Sequence, residues 1–277
     1  MSVRKWLVGV VGVVGVVGDI CPQLLESAHA EYVQTILDDN PLGYWRLGES
    51  SGSSVFDASP NGLDGNYVGG IALGHPGAIP AHPDTSALFD GTTGYVSIGP
   101  YTSLNHLTND FTIEAWVNID PNDPSPGSIV NTRSSHGGYK FSINTPGVVV
   151  FTAFGVKDYI IYEPVPIGEW CHLVLVFDSS NDAHLFINGE FRESASGDSP
   201  AISNTQTLNI GRQPTSPEGN HFQGGIDEVA IYGRALTPAE IAEHYLSAVP
   251  TPSTFVGLLG ISLMGVLGYR RRRKRAA

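Results

Sequence analysis

Phe111-Thr112-Ile113-Glu114-Ala115-Trp116-Val117 is the stretch on which the fold class turns. It alternates strictly, so a strand places Phe111, Ile113, Ala115 and Val117 on one face and Thr112, Glu114 and Trp116 on the other. Residues 170–177 are mostly apolar on both faces, as expected of a central strand. Leu185-Phe186-Ile187-Asn188-Gly189-Glu190-Phe191-Arg192 predicts a hairpin, because Asn-Gly supplies the two positive φ angles of a tight primed turn. Further strands are expected at 86–89, 95–98, 140–143, 148–154, 207–210 and 225–232, with Gly, Pro, Asn and Asp clustered between them. This spacing implies an all-β sandwich of two antiparallel sheets. One helix is predicted near the end. Thr237-Pro238-Ala239-Glu240 has the form of a capping box with Pro at the first helical position, and Ile241, His244 and Tyr245 then share a face. Residues 31–247 are expected to form one domain, with a short linker at 248–253.

Charge narrows the function classes. Residues 31–254 keep 7 of the 15 Lys and Arg and 25 of the 27 Asp and Glu, a balance of −18 against −12 for the whole chain. No basic surface remains for a phosphate backbone, which argues against nucleic acid as a partner. Excess carboxylate suits solubility and calcium outside a cell. Cys171 is the one cysteine of this stretch, so no internal disulfide is expected, and its strand setting reads as a buried small hydrophobe.

Both ends read as targeting segments. Arg4 and Lys5 precede an apolar run at 6–17, and Ala28-His29-Ala30 offers a small-x-small cleavage site before Glu31, so 1–30 reads as a signal peptide. An uncleaved anchor is the alternative. At the other end, 248–277 carries Val249-Pro250-Thr251-Pro252-Ser253-Thr254, an apolar run at 255–269, and Arg270-Arg271-Arg272-Arg273-Lys274-Arg275. The basic cluster favours cytoplasmic retention. The apolar run covers about 22 Å as a helix, against a hydrocarbon core of about 30 Å, which suits transient membrane residence better than permanent anchoring. A short tail anchor remains the other reading. This tail resembles the PEP-CTERM sorting signals of Gram-negative bacteria, whose motif is Val-Pro-Glu-Pro-Ser-Thr; Thr251 stands where Glu is usual. The resemblance implies an exosortase-type processing enzyme, removal of the tail, and delivery to the cell surface or an exopolysaccharide-rich exterior.

A second resemblance covers residues 32–245. Tyr44-Trp45-Arg46-Leu47-Gly48-Glu49, the loop Asp57-Ala58-Ser59-Pro60-Asn61-Gly62-Leu63-Asp64-Gly65, Phe89-Asp90-Gly91, Trp170-Cys171-His172-Leu173 and Gly225-Ile226-Asp227-Glu228-Val229 follow one another as in laminin-G-like, concanavalin A-like jelly rolls. The strand at 111–116, the Asn188-Gly189 hairpin and the capping box fall in the same order. The resemblance implies a jelly-roll β-sandwich that commonly holds one structural calcium between an early loop and the last long strand. That expectation puts Asp57, Asn61 and Asp227 at a Ca2+ site; the plain alternative is that Asp57 and Asn61 cap turns.

Catalysis finds little support in the residues. A glycosidase needs two carboxylates flanking one bond. Asp227 and Glu228 are adjacent, and adjacent strand residues point to opposite faces, so they are not expected to pair. Glu114 has no acidic neighbour at Thr112 or Trp116. No catalytic set is assigned, and His172 and His184 read as structural. No ligand-binding set is assigned either: Trp45, Trp116, Tyr139 and Tyr159 are aromatics that could stack on a sugar or fill the core, and 121–127 and 212–221 are expected rim loops. The sequence therefore reads as an exported, non-catalytic jelly-roll binding module for carbohydrate or matrix. A glycan-active enzyme, or a structural envelope protein that binds another protein, is the alternative.

Overall fold

The computed structural model describes residues 31–79, 84–101, 104, 107, 110–122, 127–132, 137–144, 147–197, 207–214 and 220–249. The expected signal peptide, the apolar tail, Pro250, Pro252, Ser253, Thr254 and the cluster from Arg270 to Arg275 lie outside the described residues. Among the described residues no helix is long and apolar enough to cross a membrane.

A helix at 31–38, α1, opens the described chain. Strands β1 (Gly43–Trp45), β2 (Ser54–Val55), β3 (Gly65–Val68), β4 (Ile71–Pro76), β5 (Thr85–Asp90) and β6 (Tyr95–Ile98) follow. Next come β7 (Phe111–Ile119), β8 (Gly127–Asn131), β9 (Tyr139–Asn144), β10 (Val148–Ala153) and β11 (Lys157–Pro164). The last are β12 (Trp170–Phe177), β13 (Asp182–Ile187), β14 (Glu190–Ser196), β15 (Leu208–Ile210), β16 (Gln223–Tyr232) and the helix α2 (Pro238–Ala248). One sheet runs β14-β13-β12-β7-β16-β5-β4, with β1 also paired to β16; the other runs β11-β10-β9-β8-β15-β6-β3-β2. The named strand pairs are antiparallel, as the sequence predicts.

Alternation on β7 produces two layers of core. Phe111, Ile113, Ala115 and Val117 enter the cluster between the sheets, where Phe111 stacks on Phe177 with ring centroids 5.3 Å apart. Cys171 is buried in that cluster, as expected. On the opposite side of the same strand, Trp116 joins Val174, Val176, Ala230 and Tyr232 beneath Tyr32 and Ile36 of α1 and Ile241 and Ala248 of α2. This second core is why β12 is apolar on both faces. The hairpin turn has φ of 54° at Asn188 and 77° at Gly189, the primed geometry expected of Asn-Gly.

Several elements differ from the sequence expectation. The helix α1 is additional; its signal is Tyr32 and Ile36, four residues apart and both fully buried. Ala248, placed in the linker by the sequence reading, is instead the last residue of α2 and is buried, with Val249 as its C-cap. The capping box is formed as expected: Thr237 Oγ1 accepts from Glu240 N, and Glu240 accepts from Thr237 N. The strands β1 to β4 were hidden by the Gly, Ser and Asp content of 43–76, and β4 carries Gly74 and Pro76, which only an edge strand tolerates well.

One expectation fails for a structural reason. Asp227 and Glu228 do not point to opposite faces of a regular strand. The β7–β16 register shifts between Asp227 and Ala230, and Glu228 has a φ of 51°. This bulge turns both carboxylates inward, each about 1% exposed. Arg46 acts on both.

Candidate functional site

Each expected calcium residue has a definite place. Asp57 Oδ1 accepts from the backbone N–H of Tyr44 and of Ser59, both at 2.9 Å; Oδ2 accepts from Ser59 Oγ and Leu63 N, both at 2.8 Å. Asn61 Nδ2 donates to the carbonyls of Pro41 and Leu42 at 3.2 Å. Asp227 accepts from Ala78 N at 2.8 Å and Glu228 N at 3.1 Å. Asp57 and Asn61 are linked through Ser59, whose Oγ donates to Asp57 and accepts from Asn61 N at 3.3 Å, and Asp227 shares no partner with either. Among the described residues no group of three or more His, Cys, Asp or Glu side chains is arranged to hold a metal ion. Asp57, with four donors already on its oxygens, and the amide of Asn61, turned nitrogen-first to two carbonyls, do not fit a calcium shell as arranged. Their geometry is that of Asx residues closing a loop.

Beside that loop lies the acid pair. The Arg46 guanidinium holds Asp84 and approaches Glu228, and the Tyr44 hydroxyl donates to Glu228. Burial pushes the carboxyls of Asp227 and Glu228 up; for Asp227 the neighbouring Glu228 charge adds to this. Arg46 also lines a cavity of about 310 Å³ with Glu49, Phe56 and Asp84.

A third polar cluster lies under the helices. Glu114 is fully buried and accepts from His172 Nε2 at 2.8 Å, His244 Nδ1 at 2.9 Å and the Tyr232 hydroxyl at 3.1 Å. His244 Nε2 is 2.9 Å from Asp39 Oδ2, and Asp39 is held by Arg234. Burial alone would raise Glu114, but His244 and His172 outweigh it and hold the carboxyl well below its usual range. Burial alone would lower His244, but Glu114 and Asp39 raise it to about 9. His184 is elsewhere, 3.0 Å from Asp178 on the β12–β13 connection.

Of the two readings open to the four strand aromatics, sugar stacking and core, the structure shows core. Trp45, Tyr139 and Tyr159 are fully buried and Trp116 is 3% exposed; Trp45 Nε1 donates to Leu63 O and Trp116 Nε1 to the Tyr32 hydroxyl. Trp170 is a partly open aromatic. It is half-buried at the start of β12 and lines a groove of about 400 Å³. The groove crosses the outer face of the first sheet: Trp170 pairs with Asn118, Asn118 with Gly225, and Gly225 with Leu88. The floor is low because of two glycines. A Cβ on Gly225 would lie 2.6 Å from the Trp170 ring, so the indole rests on bare backbone. A Cβ on Gly224, at φ 135°, would lie 2.2 Å from Asn118 O.

Polar groups border this platform. Asn118, Ser86 and His75 lie on the strands, and Asp120 and Pro121 follow β7, where the expected rim loop begins. Asp120 accepts from Asn122 N at 2.8 Å and from Gln223 Nε2 at 3.1 Å, and these bonds keep its carboxyl below the ordinary range. It is the one carboxylate among the described residues that line the groove. Sequence reasoning missed Trp170 because it stood at the head of an apolar strand. The signal that could have found it was Gly224-Gly225 on a central strand, where glycine marks close approach of another group.

Two outcomes follow. Asp57→Ala leaves three backbone N–H groups, of Tyr44, Ser59 and Leu63, without their acceptor and should cost about 3 kcal/mol in thermal or denaturant melts, equally with and without EDTA. An EDTA-induced loss of stability in the wild type that disappears in Asp57→Ala would restore a calcium role. The second outcome concerns His244. A histidine raised in the folded state stabilises fully below its ordinary value of 6.5 and loses that contribution as pH rises toward about 9. Stability should therefore fall from pH 7 to pH 9.5, by up to about 3 kcal/mol from this group. His244→Asn should flatten that slope; a variant that keeps the wild-type slope would reject the assignment.

Comparison with known proteins places this architecture. Laminin_G_3, the concanavalin A-like lectin/glucanases superfamily, matches residues 90–242. Among solved structures, the binding domain of Paraclostridial Mosquitocidal Protein 1 is similar at a TM-score of 0.60 and 21% identity, covering 76% of this chain and 53% of that one. Domain 4 of AbnA, a GH43 extracellular arabinanase from Geobacillus stearothermophilus solved with arabinotriose, is similar at 0.58 and 17%, covering 74% and 98%. The binding domain of Botulinum neurotoxin DC in complex with rat synaptotagmin II is similar at 0.60 and 16%, covering 76% and 52%. The chain spans about half the length of the two toxin domains it matches. At these identities the likeness is one of fold. The family match itself extends over more than half of the sequence, and the chain belongs to the laminin-G-like branch of the concanavalin A-like lectin/glucanases superfamily.

Proposed function

We propose that this chain is an exported, non-catalytic binding module that holds a carbohydrate chain in the groove on the outer face of the first sheet. The observation that carries this is Trp170 lying over Gly225, with Asn118, Ser86, His75 and Asp120 around it. A sugar presents an apolar ring face and a rim of hydroxyls, and an indole platform bordered by amide, carboxylate and imidazole complements both. The fold neighbour solved with arabinotriose supports a sugar ligand on this architecture. Binding is favoured over turnover because the described residues of the groove include one carboxylate, whereas glycoside hydrolysis uses two. The other acid pair, Asp227 and Glu228, is enclosed.

Full-length protein on a glycan array or in polysaccharide pull-down should retain a glycan. Trp170→Ala should weaken that binding at least about tenfold, roughly 1.4 kcal/mol, without lowering the melting temperature comparably. Gly225→Val, which displaces the indole from its floor, should do the same. Release of reducing sugar by the wild type would move the protein to the enzymes.

A second reading, a protein partner, is favoured by Ile160, Tyr162 and Phe191, which are 41%, 69% and 54% exposed on β11 and β14, the end strands of the two sheets. A fold neighbour solved in complex with rat synaptotagmin II supports a protein partner on this architecture. A stoichiometric protein in native envelope extracts, retained by Trp170→Ala, would favour it over sugar.

Export rests on the two terminal segments. The motif Val249, Pro250, Pro252, Ser253 and Thr254 suits an exosortase-type enzyme, the apolar run suits transient membrane residence, and Arg270 to Arg275 suit cytoplasmic retention. Mass spectrometry of the surface form should find a C-terminus within 249–254. Peptides from 255–269 in most of that form would restore a permanent tail anchor.

A further inference from the structure

Of the four described arginines, three hold carboxylates. Arg46 holds Asp84 and Glu228, Arg192 holds Glu190 at 3.0 Å, and Arg234 holds Asp39 and Glu240. Arg212 is different. Its guanidinium carbon lies 3.3 Å from the centroid of the Tyr95 ring, and its Nε donates to Asn209 Oδ1 at 3.1 Å. Asn209 is 2% exposed, and its Nδ2 is tied to Thr207 O at 3.0 Å, so the oxygen that receives Arg212 is fixed. His221 packs on the same Tyr95 ring with centroids 6.4 Å apart and is anchored through Nδ1 to Gly94 O at 3.1 Å. Burial and the Tyr95 phenol act on the ionisation of Arg212, and no described carboxylate does.

This is a costly arrangement for a chain in which acids outnumber bases. A half-buried guanidinium oriented by an aromatic face and an amide, with no acid on it, keeps N–H donors of its planar fork for an incoming oxyanion. Its orientation is fixed beforehand, so little side-chain entropy remains to be lost on binding. The cluster stands on the second sheet, whose strands β6 and β15 carry Tyr95 and Asn209, and the chain leads from it to the groove. Phe222 N donates to Gly211 O at 2.8 Å, which ties the Arg212 segment to the start of β16, and Gly224 of the groove floor is two residues further on.

We propose that Arg212, held by Tyr95 and Asn209, recognises an oxyanion on the ligand, so that the module takes acidic polysaccharide in preference to neutral. The proposal rests on the carbohydrate reading and names its substrate class: a polymer bearing carboxylate or sulfate.

The test measures the full chain against polygalacturonate, its fully methyl-esterified form, dextran sulfate and dextran at low salt. An acidic polymer should bind at least about tenfold more tightly than its neutral counterpart, with the margin shrinking as NaCl is raised. The carboxylate and sulfate arms identify which oxyanion is preferred. Arg212→Gln should remove the preference and leave affinity for the neutral polymer unchanged. Arg212→Lys, which keeps the charge without the planar stack, should keep the fold, checked by melting, and part of the preference. Equal binding of acidic and neutral forms by the wild type would overturn the oxyanion site while leaving the groove intact. A preference that survives in Arg212→Gln would overturn the role of Arg212. Failure to bind any acidic polymer would overturn the site as well, and the Trp170-dependent signal on neutral glycans would then decide the groove separately.

Discussion

The buried carboxylate of Glu114 is the constraint from which much of the molecule follows. It sits on β7, in the middle of the first sheet, with no exposure to water. A lone charge there would cost several kcal/mol, so its oxygens must be surrounded by donors. The donors come from three directions: His172 on β12, Tyr232 on β16 and His244 on α2. His244 then reaches Asp39 just beyond α1, and Asp39 reaches Arg234 just before α2. One charge thereby fixes both helices against the same face of the sheet. The apolar contacts of Tyr32, Ile36, Ile241 and Ala248 supply cohesion around that polar pin.

Placing the helices there divides the outer face of the first sheet. Trp116, Val174, Val176, Ala230 and Tyr232 are covered and read as core. Beyond them, toward β5 and β4, the face carries Leu88 and His75, both exposed, beside a buried Ser86. Trp170 stands on the border: it packs against the helix-covered cluster and also lines the groove. An aromatic anchored by a core and still presented to solvent is already ordered before a ligand arrives, which lowers the entropic cost of stacking on it.

What was legible in the sequence tracks what depends on local pattern. Alternation at 111–117, the apolar run at 170–177, the Asn188-Gly189 turn and the capping box at Thr237 each encode their geometry within a few residues, and each forms as read. The groove was not legible, because Trp170, Asn118 and Gly225 meet only through strand pairing across three segments. Asp57 illustrates the limit from the other side. Its loop context allowed either a cation ligand or a turn cap, and only the long-range approach of Tyr44 N shows that its oxygens close a turn. The acid pair at 227 and 228 misled for another reason. Period-two alternation assumes a regular strand, and neither residue announces that a non-glycine will adopt a positive φ and form a bulge.

That bulge also bears on what the chain can do. Carboxylates raised by burial and by a neighbouring charge are the usual material of acid–base sites. A general acid must nevertheless come within hydrogen-bond reach of its substrate. Asp227 and Glu228 instead face Ala78 N, the Tyr44 hydroxyl and Arg46, and each is about 1% exposed. Their partners come from the β1 end and from the segment after β4, so the pair works as a clamp that seats the early strands on β16. The strain of a left-handed Glu228, of order 1–3 kcal/mol, is offset by these contacts rather than by contact with a ligand. The raised carboxyls thus belong to the enclosed half of the molecule, and the open aromatic and polar groups of the groove to the other. The proposed recognition through Trp170 draws on the second half without disturbing the first, a division that suits a binding surface on a rigid sandwich.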